Sequence, residues 1–454
     1  MKDKKETNEQ QNKGLSRRDF MGTAATIAAF TIVPRHVLGG PGFKPPSEKL
    51  NIAAIGAGGM GASNTRACSN ENIVALCDVD DERAKETFNK FPNARKWKDF
   101  RKMLDEQKDI DAVIVATPDH THTVAAMAAM QRGKHVYVQK PLTRMVWEAR
   151  MLTEAARKYK VATQMGNQGH SGDGVRLICE WLWDGAIGPV REVHAWTNRP
   201  IWPQGIDRPK ESEPVPDTLD WDLWVGPAPW RPYHSCYAPF KWRGWWDFGG
   251  GALADMACHV IDPVFWALKL KYPVSVEACA TKVNNETFPL ASIVHYEFPA
   301  REGMPPLKLH WYDGGMKPPQ PDALEPDRKL EQAASNVLFI GEKGVLRCGE
   351  YGDSPRLIPE TLMKEYKRPP ETLPRIEGGS GGHEKNWIRA CKGGEPACSN
   401  FDYSGPLTET VVMGNLAIRN LGKKLLWDGK NMKVTNDEKA NEYVKPTYRE
   451  GWTL

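Results

Sequence analysis

LNIAAIGAGGMGASN, residues 50–64, passes from a short apolar run straight into a glycine-rich turn and on toward a helix. Gly56, Gly58 and Gly61 hold the spacing G-x-G-x-x-G, with Gly59 and Met60 between the last two. Each glycine has its own physical task. Gly56 permits a tight turn, Gly58 lets main chain approach a pyrophosphate, and Gly61 lets the helix pack on the strand. The next apolar run, NIVALCDVD (72–80), contains Asp78 near its end, close to the distance expected of a ribose-binding carboxylate. A carboxylate there accepts from both ribose hydroxyls and repels a 2′-phosphate. NAD is therefore the expected cofactor, with NADP the lesser alternative because Arg83 stands nearby.

Outward from the turn the same rhythm continues in DAVIVATP (111–118), HVYVQKP (135–141) and VATQMGN (161–167), each separated from the last by a helical stretch. Strands joined by helices of roughly 10–15 residues predict a parallel sheet wound on both faces, a Rossmann domain over residues 48–170. Ligands of such sheets lie beyond the carboxyl ends of the strands. Thr117, Pro118, His120, Lys140 and Asn167 are expected to border the nicotinamide, and His122, Gln139 and Gln168 join them as cofactor contacts.

After about Gly172 the pattern changes. A helix at 175–184 precedes the strand-like runs VREVHAWTN, VSVEACATKV, ASIVHYEF and LKLHWYD. Alternation joined by polar turns predicts an α+β domain over 171–425 with a large, mostly antiparallel sheet, followed by a C-terminal extension at 426–454. Eleven of the 17 Trp lie between Trp181 and Trp266, mostly in a Pro-rich segment too long for a simple connection. Aromatic faces stack on the C–H faces of sugar rings, so the expected substrate is a carbohydrate. Tyr233, His234, Lys241, Arg243, Trp245 and Trp246 are candidate contacts, and His383 in GGSGGHEKNWIRAC (378–391) either closes the cleft or caps structure.

Composition sets limits. The chain has 454 residues, 40% hydrophobic and 26% charged, with a net charge of only +4. That charge makes no case for nucleic acid, and no run is long enough to span a membrane. Nine cysteines without a C-x-x-C pair read as buried small hydrophobes rather than a metal site, and Cys391 with Cys398 is a candidate disulfide pair if the protein is exported. Export is the expectation from SRRDFMGTAATIAAFTIVP (16–34), where Arg17-Arg18 precedes a short apolar run closed by Pro34. Residues 1–40 thus read as a twin-arginine signal and linker leading to the periplasm, with no A-x-A site to fix cleavage.

Together with the glycine turn, ATPDHTH (116–122), QKP (139–141), GNQGH (166–170) and GGGALADMACHVID (249–262) make residues 48–425 resemble the Gfo/Idh/MocA oxidoreductases. The resemblance implies that Lys140 and His259 meet across the crevice with Asp255 beside them. His259 would take the proton of a sugar hydroxyl, Lys140 would stabilise the alkoxide, and Asp255 would orient the hydroxyl, with His170 a further substrate contact. One position departs from the family, whose usual Glu-Lys-Pro is Gln139-Lys140-Pro141 here. The implied activity is an NAD-dependent oxidation of a ring hydroxyl of a sugar or glycoside. The alternative resembles the related NAD-using glycosidases, which oxidise, eliminate, hydrate and reduce without net redox change. An exported enzyme has no NAD pool to draw on, so a tightly held dinucleotide is expected, and an open second sheet favours a homo-oligomer.

Overall fold

The computed structural model describes residues 48–330 and 333–454. The export signal expected at 16–34 lies outside the described residues. Its first sheet is built from β1 (Asn51–Ile55), β2 (Asn72–Cys77), β3 (Arg95–Trp97), β4 (Ala112–Val115), β5 (His135–Val138) and β6 (Thr163–Met165). All pairings are parallel, in the order β3-β2-β1-β4-β5-β6. The order reverses between β1 and β4, and there the crevice must open, because the helices leave these two strands toward opposite faces. The connecting helices are α1 (Met60–Ala67), α2 (Asp81–Lys90), α3 (Phe100–Glu106), α4 (Asp119–Gln131) and α5 (Val146–Tyr159). α2 starts where it does because the Asp80 carboxylate accepts from the amides of Glu82 and Arg83. Ala84, Thr87 and Phe88 then form its buried face.

Beyond α6 (Asp173–Trp183), the chain forms β7 (Val190–Thr197), α7 (Trp221–Val225), α8 (Gly251–Val260) and α9 (Asp262–Ala267). The second sheet is completed by β8 (Ser275–Ala280), β9 (Ser292–Phe298), β10 (Leu307–Tyr312), β11 (Ser335–Gly341), β12 (Val345–Gly349) and β13 (Arg356–Ile358). After α10 (Glu360–Glu365), α11 (His383–Cys391) and α12 (Phe401–Arg419), β14 (Leu425–Asp428) and β15 (Lys433–Val434) close its edge. The nine strands run β13-β12-β11-β7-β10-β9-β8-β14-β15. Every pair is antiparallel except β7 with β10, which keeps His194 opposite His310 in parallel register.

Two expected boundaries are corrected. The expected start of an extension at 426 falls inside β14, which pairs Leu425 with Val276 of β8. The tail then returns to the first domain, where Tyr448 donates to Glu148 at 2.7 Å and Trp452 packs on Phe100. Nor is 171–425 a self-contained block, because Trp387, Cys391 and Ala397 share a core with Ile52 and Ala54 of β1. Cys391 and Cys398 are both free thiols rather than a disulfide. Among the described residues no helix is long and apolar enough to cross a membrane.

Candidate active site

A cleft of about 580 Å³ lies at the carboxyl ends of β1, β2 and β4, roofed by segments around 199–202 and 238–243 and by one face of α8. Its cofactor end is main chain. Gly56 adopts a φ of +85°, and a Cβ there would stand 2.6 Å from the Ala116 carbonyl oxygen. A Cβ on Gly61 would collide with the Gly56 carbonyl, so Gly61 serves helix–strand packing and does not line the cleft. Gly58 is constrained from another side, since Arg83 fills the space its Cβ would need. Gly56, Gly58, Gly59 and Met60 line the cleft, and no side chain caps α1. Apart from Gly61, whose amide donates to the Gly58 carbonyl at 3.0 Å, the first-turn amides of α1 are left for an anion.

Asp78, at the end of β2, lines the same cleft and accepts from the amides of Ala57 at 2.7 Å and Asp80 at 3.0 Å. Burial pushes its pKa up while those amides pull it down. It therefore pins the turn and faces the space beside it. An exposed main-chain turn at a helix start, with a carboxylate at the next strand end, fits a dinucleotide.

At the other end, Lys140 Nζ donates to both the main-chain oxygen of Asp255 at 2.7 Å and its Oδ1 at 3.0 Å. Arg243 Nε donates to the same Oδ1 at 3.2 Å. Burial alone would raise the Asp255 pKa, but the two cations outweigh it and hold the carboxyl below its ordinary range. One turn along α8, His259 is buried against the ring of Tyr351, at 4.9 Å between centroids. Burial first, then the Lys140 charge, lower its pKa to about 3, so the imidazole is neutral, and its Nδ1 has no hydrogen-bond partner.

Sequence reasoning passed over Asp119. It sits inside the quoted ATPDHTH at the first position of α4, is 4% exposed, and lines the cleft. Burial raises its pKa to about 7 against the pull of Arg243 and the Gly250 amide. Its position directly after Pro118, at a strand-to-helix turn, was the available signal. Tyr351 and Glu350 also line the cleft, from the loop after β12, and nothing local in the sequence marks them.

Thr117, Pro118, Gln139, Gln168 and Arg83 line the cleft with the residues above. Gln139 also shows what its amide does in place of a carboxylate: Nε2 donates to Asn64 Oδ1 at 2.8 Å, and Asn64 donates to Glu384. A glutamate could not make the first of those bonds.

Several expected contacts lie away from the cleft lining, and most of their polar atoms meet groups inside the protein. His120 lies between the carbonyls of Phe248 and Trp224 at 3.2 and 3.0 Å. His122 sets its two ring nitrogens 2.9 Å from the carbonyls of Pro141 and Thr117, and the neutral ring donates to one of them from behind the cofactor-side loops. Asn167 and His170 both turn to Asp262, at 3.2 and 3.0 Å. Trp245 is fully buried and donates to the Cys236 carbonyl, and Trp246 stacks on Phe288 and donates to the Asn284 carbonyl. Tyr233 packs edge-on against Trp221. His383 is buried between Met165 and Ser171, a structural group rather than a lid.

Residues 50–167 match the profile described as oxidoreductase family, NAD-binding Rossmann fold, and residues 192–300 match the oxidoreductase family's C-terminal alpha/beta domain. Residues 50–167 are accordingly an NAD-binding Rossmann domain. The chain is 26% identical to a levoglucosan dehydrogenase of Pseudarthrobacter phenanthrenivorans over 227 residues, 47% of this chain and 50% of that protein. It is 29% identical to an inositol 2-dehydrogenase/D-chiro-inositol 3-dehydrogenase of Lacticaseibacillus casei over 152 residues, 32% of this chain and 44% of that one. The matched stretches thus span about half the length of these relatives. In fold the chain is similar to the WlbA dehydrogenase from Bordetella pertussis, solved with NADH and UDP-GlcNAcA, at a TM-score of 0.58 and 17% identity, over 84% of this chain and 99% of that one. With residues 50–167 and 192–300 matched by the N-terminal and C-terminal profiles of one family, the chain belongs to the Gfo/Idh/MocA oxidoreductase family.

Proposed function

We propose that this protein oxidises a ring hydroxyl of a sugar or glycoside, with NAD as the hydride acceptor. The observation that carries this is the convergence of Lys140, Asp255 and neutral His259 on the cleft that the glycine turn and Asp78 open. When bound, the nicotinamide supplies the site for the hydride. The chain's own residues do the rest. Asp255, held ionised by Lys140 and Arg243, accepts from the substrate and fixes which hydroxyl faces inward. His259, whose ring lines the cleft, takes the hydroxyl proton, while its Nδ1 is buried without a partner. A weak base suffices there, because the adjacent Lys140 charge makes the hydroxyl more acidic. Lys140 offsets the negative charge that develops on the oxygen.

NAD is favoured over NADP because Asp78 and Asp80 both stand at the end of β2, where a 2′-phosphate would meet like charge. Arg83 and Lys98, which line the same end of the cleft, are the nearby cations that work the other way. The Arg17-Arg18 signal adds that the protein is exported and keeps its nucleotide bound. Protein recovered from the periplasm should then release about one equivalent of NAD on denaturation.

A redox-neutral glycosidase is the second reading, favoured by Asp119. A buried carboxyl that holds its proton near pH 7 beside Asp255 can protonate a leaving group, which a simple dehydrogenase does not require. Offering a panel of alkyl glycosides, and following nicotinamide absorbance together with released alcohol, tests both. Reduction without release supports the dehydrogenase, and release without net reduction supports the glycosidase. Neither signal across a broad panel would sink both.

A further inference from the structure

Resting on that redox reading, we infer that the cleft carries an outer apolar subsite, and that the substrate is a glycoside whose second group is an uncharged, apolar aglycone. The inference comes from what stands immediately outside the reacting end. Arg243 is the bridge between the two. Its Nε holds Asp255, while its guanidinium lies 4.7 Å from the ring centre of Phe240, 4.2 Å from that of Trp242 and 5.9 Å from that of Trp202. A sugar whose hydroxyl meets Lys140 and Asp255 must extend past this collar to leave the cleft.

The collar continues into side chains that water should not favour. Ile201 is 62% exposed, Phe240 41% and Tyr351 37%, and all three line the cleft. Scattered apolar residues on a surface need no explanation, but a group of them on the rim of one cleft marks a binding surface. Phe240 meets Trp202 edge to face at 6.1 Å, so one wall is already a packed aromatic pair with an exposed outer face. Tyr351 is fixed by His259 across from it.

Charge decides what kind of group fits. Arg199 and Glu350 are the charged residues of this outer rim, and their signs cancel. Deeper in, Lys140 and Arg243 are both engaged by Asp255. The outer rim therefore keeps no surplus of positive charge to hold a diphosphate or a carboxylate, which would be needed there to select a sugar nucleotide or a uronic acid polymer. An aryl or alkyl group instead covers Ile201 and Phe240 and removes their surface from water.

Equilibrium affinity tests this independently of turnover. Phenyl and methyl glycosides of the same sugars (glucose, galactose, mannose and xylose, each anomer) are titrated against the NAD-loaded protein by calorimetry. Nicotinamide absorbance is recorded in the same samples. For at least one sugar the phenyl glycoside should bind about tenfold tighter than the methyl glycoside, close to 1.4 kcal/mol. In the Ile201→Ser and Phe240→Ser proteins, both changed at exposed positions, that ratio should fall below about threefold. Equal affinities for every pair, or a ratio that survives both substitutions, would overturn the subsite whether or not the nucleotide is reduced. Tight, variant-sensitive phenyl binding without nucleotide reduction would leave the subsite standing and remove the redox reading.

Discussion

Lys140 Nζ is bound to Asp255 twice, once through the main-chain oxygen of α8 and once through the carboxylate, so a single ammonium joins the end of β5 to the helix that carries His259. This double attachment fixes the charge that the proposed chemistry needs. Lys140→Ala should lower the rate of nucleotide reduction at least ~100-fold in a single-turnover measurement. NAD affinity, measured by nucleotide fluorescence, should change by less than about threefold, because the pyrophosphate and ribose contacts lie elsewhere. Asp255 keeps Arg243 as a counterion, so the protein should remain folded. Lys140→Arg should not rescue it, because a planar fork cannot place one donor on both Asp255 oxygens in the space of an ammonium.

Asp119 gives a pH signature. Its folded pKa of about 7 lies above the ordinary 3.8, so the folded protein holds a proton that the unfolded chain releases. Stability from this group is complete below about pH 4 and is lost as pH rises toward 7. Asp119→Asn should therefore be more stable than the wild type above pH 7, by up to ~4 kcal/mol, with the two converging below pH 4. Denaturant midpoints at pH 4, 6 and 8 check this. The same variant should lose the rate limb near pH 7 if Asp119 exchanges its proton during turnover.

The glycine turn separates two effects. Gly61→Ala puts a methyl group into the Gly56 carbonyl, which is main chain and cannot yield, so it should cost several kcal/mol of stability. Gly58→Ala meets the Cγ of Arg83 at 2.4 Å and its carbonyl oxygen at 2.8 Å, so shortening that side chain relieves only part of the clash. That variant should fold, bind NAD at least about tenfold more weakly, and recover part of the loss when Arg83→Ala is added. Thermal melts with and without NAD distinguish the two outcomes.

His122 contributes behind the cofactor wall rather than in it. Losing its buried hydrogen bond to one of the Thr117 and Pro141 carbonyls should destabilise His122→Gln by about 1–3 kcal/mol at pH 7. Burial lowers its pKa from the ordinary 6.5 to about 4, so the folded state resists protonation that the unfolded chain accepts. The wild type's advantage over His122→Gln should shrink as pH falls from 6.5 toward 4, as thermal melts across that range would show.

What the sequence made legible follows from the kind of constraint involved. The glycine turn, Asp78, Lys140 and the Asp255–His259 pair are tied to strand ends or helix spacing, and periodicity places those. Polar rings are different. Sequence cannot tell whether a histidine or tryptophan turns toward a cleft or toward a carbonyl, and His120, His122, Trp245 and Trp246 all found carbonyls. Asp119 was overshadowed by the two histidines that follow it. The strands β11 to β15 went unread, and with them Tyr351, which reaches His259 only because β12 is folded beside a sheet begun 150 residues earlier in the chain. Glu384, which explains Gln139 through Asn64, is likewise a partner only in three dimensions.

Hydride transfer from a ring carbon is the central claim, and isotopic labelling observes it directly. The NAD-loaded protein is mixed with glycosides deuterated at every ring carbon, and the nucleotide is recovered and examined by mass spectrometry. Transfer of one deuterium to the nicotinamide by the wild type, and none by Lys140→Ala, is the predicted result. A nucleotide that stays unlabelled and oxidised in samples quenched throughout a single turnover, while the glycoside is consumed, would contradict it.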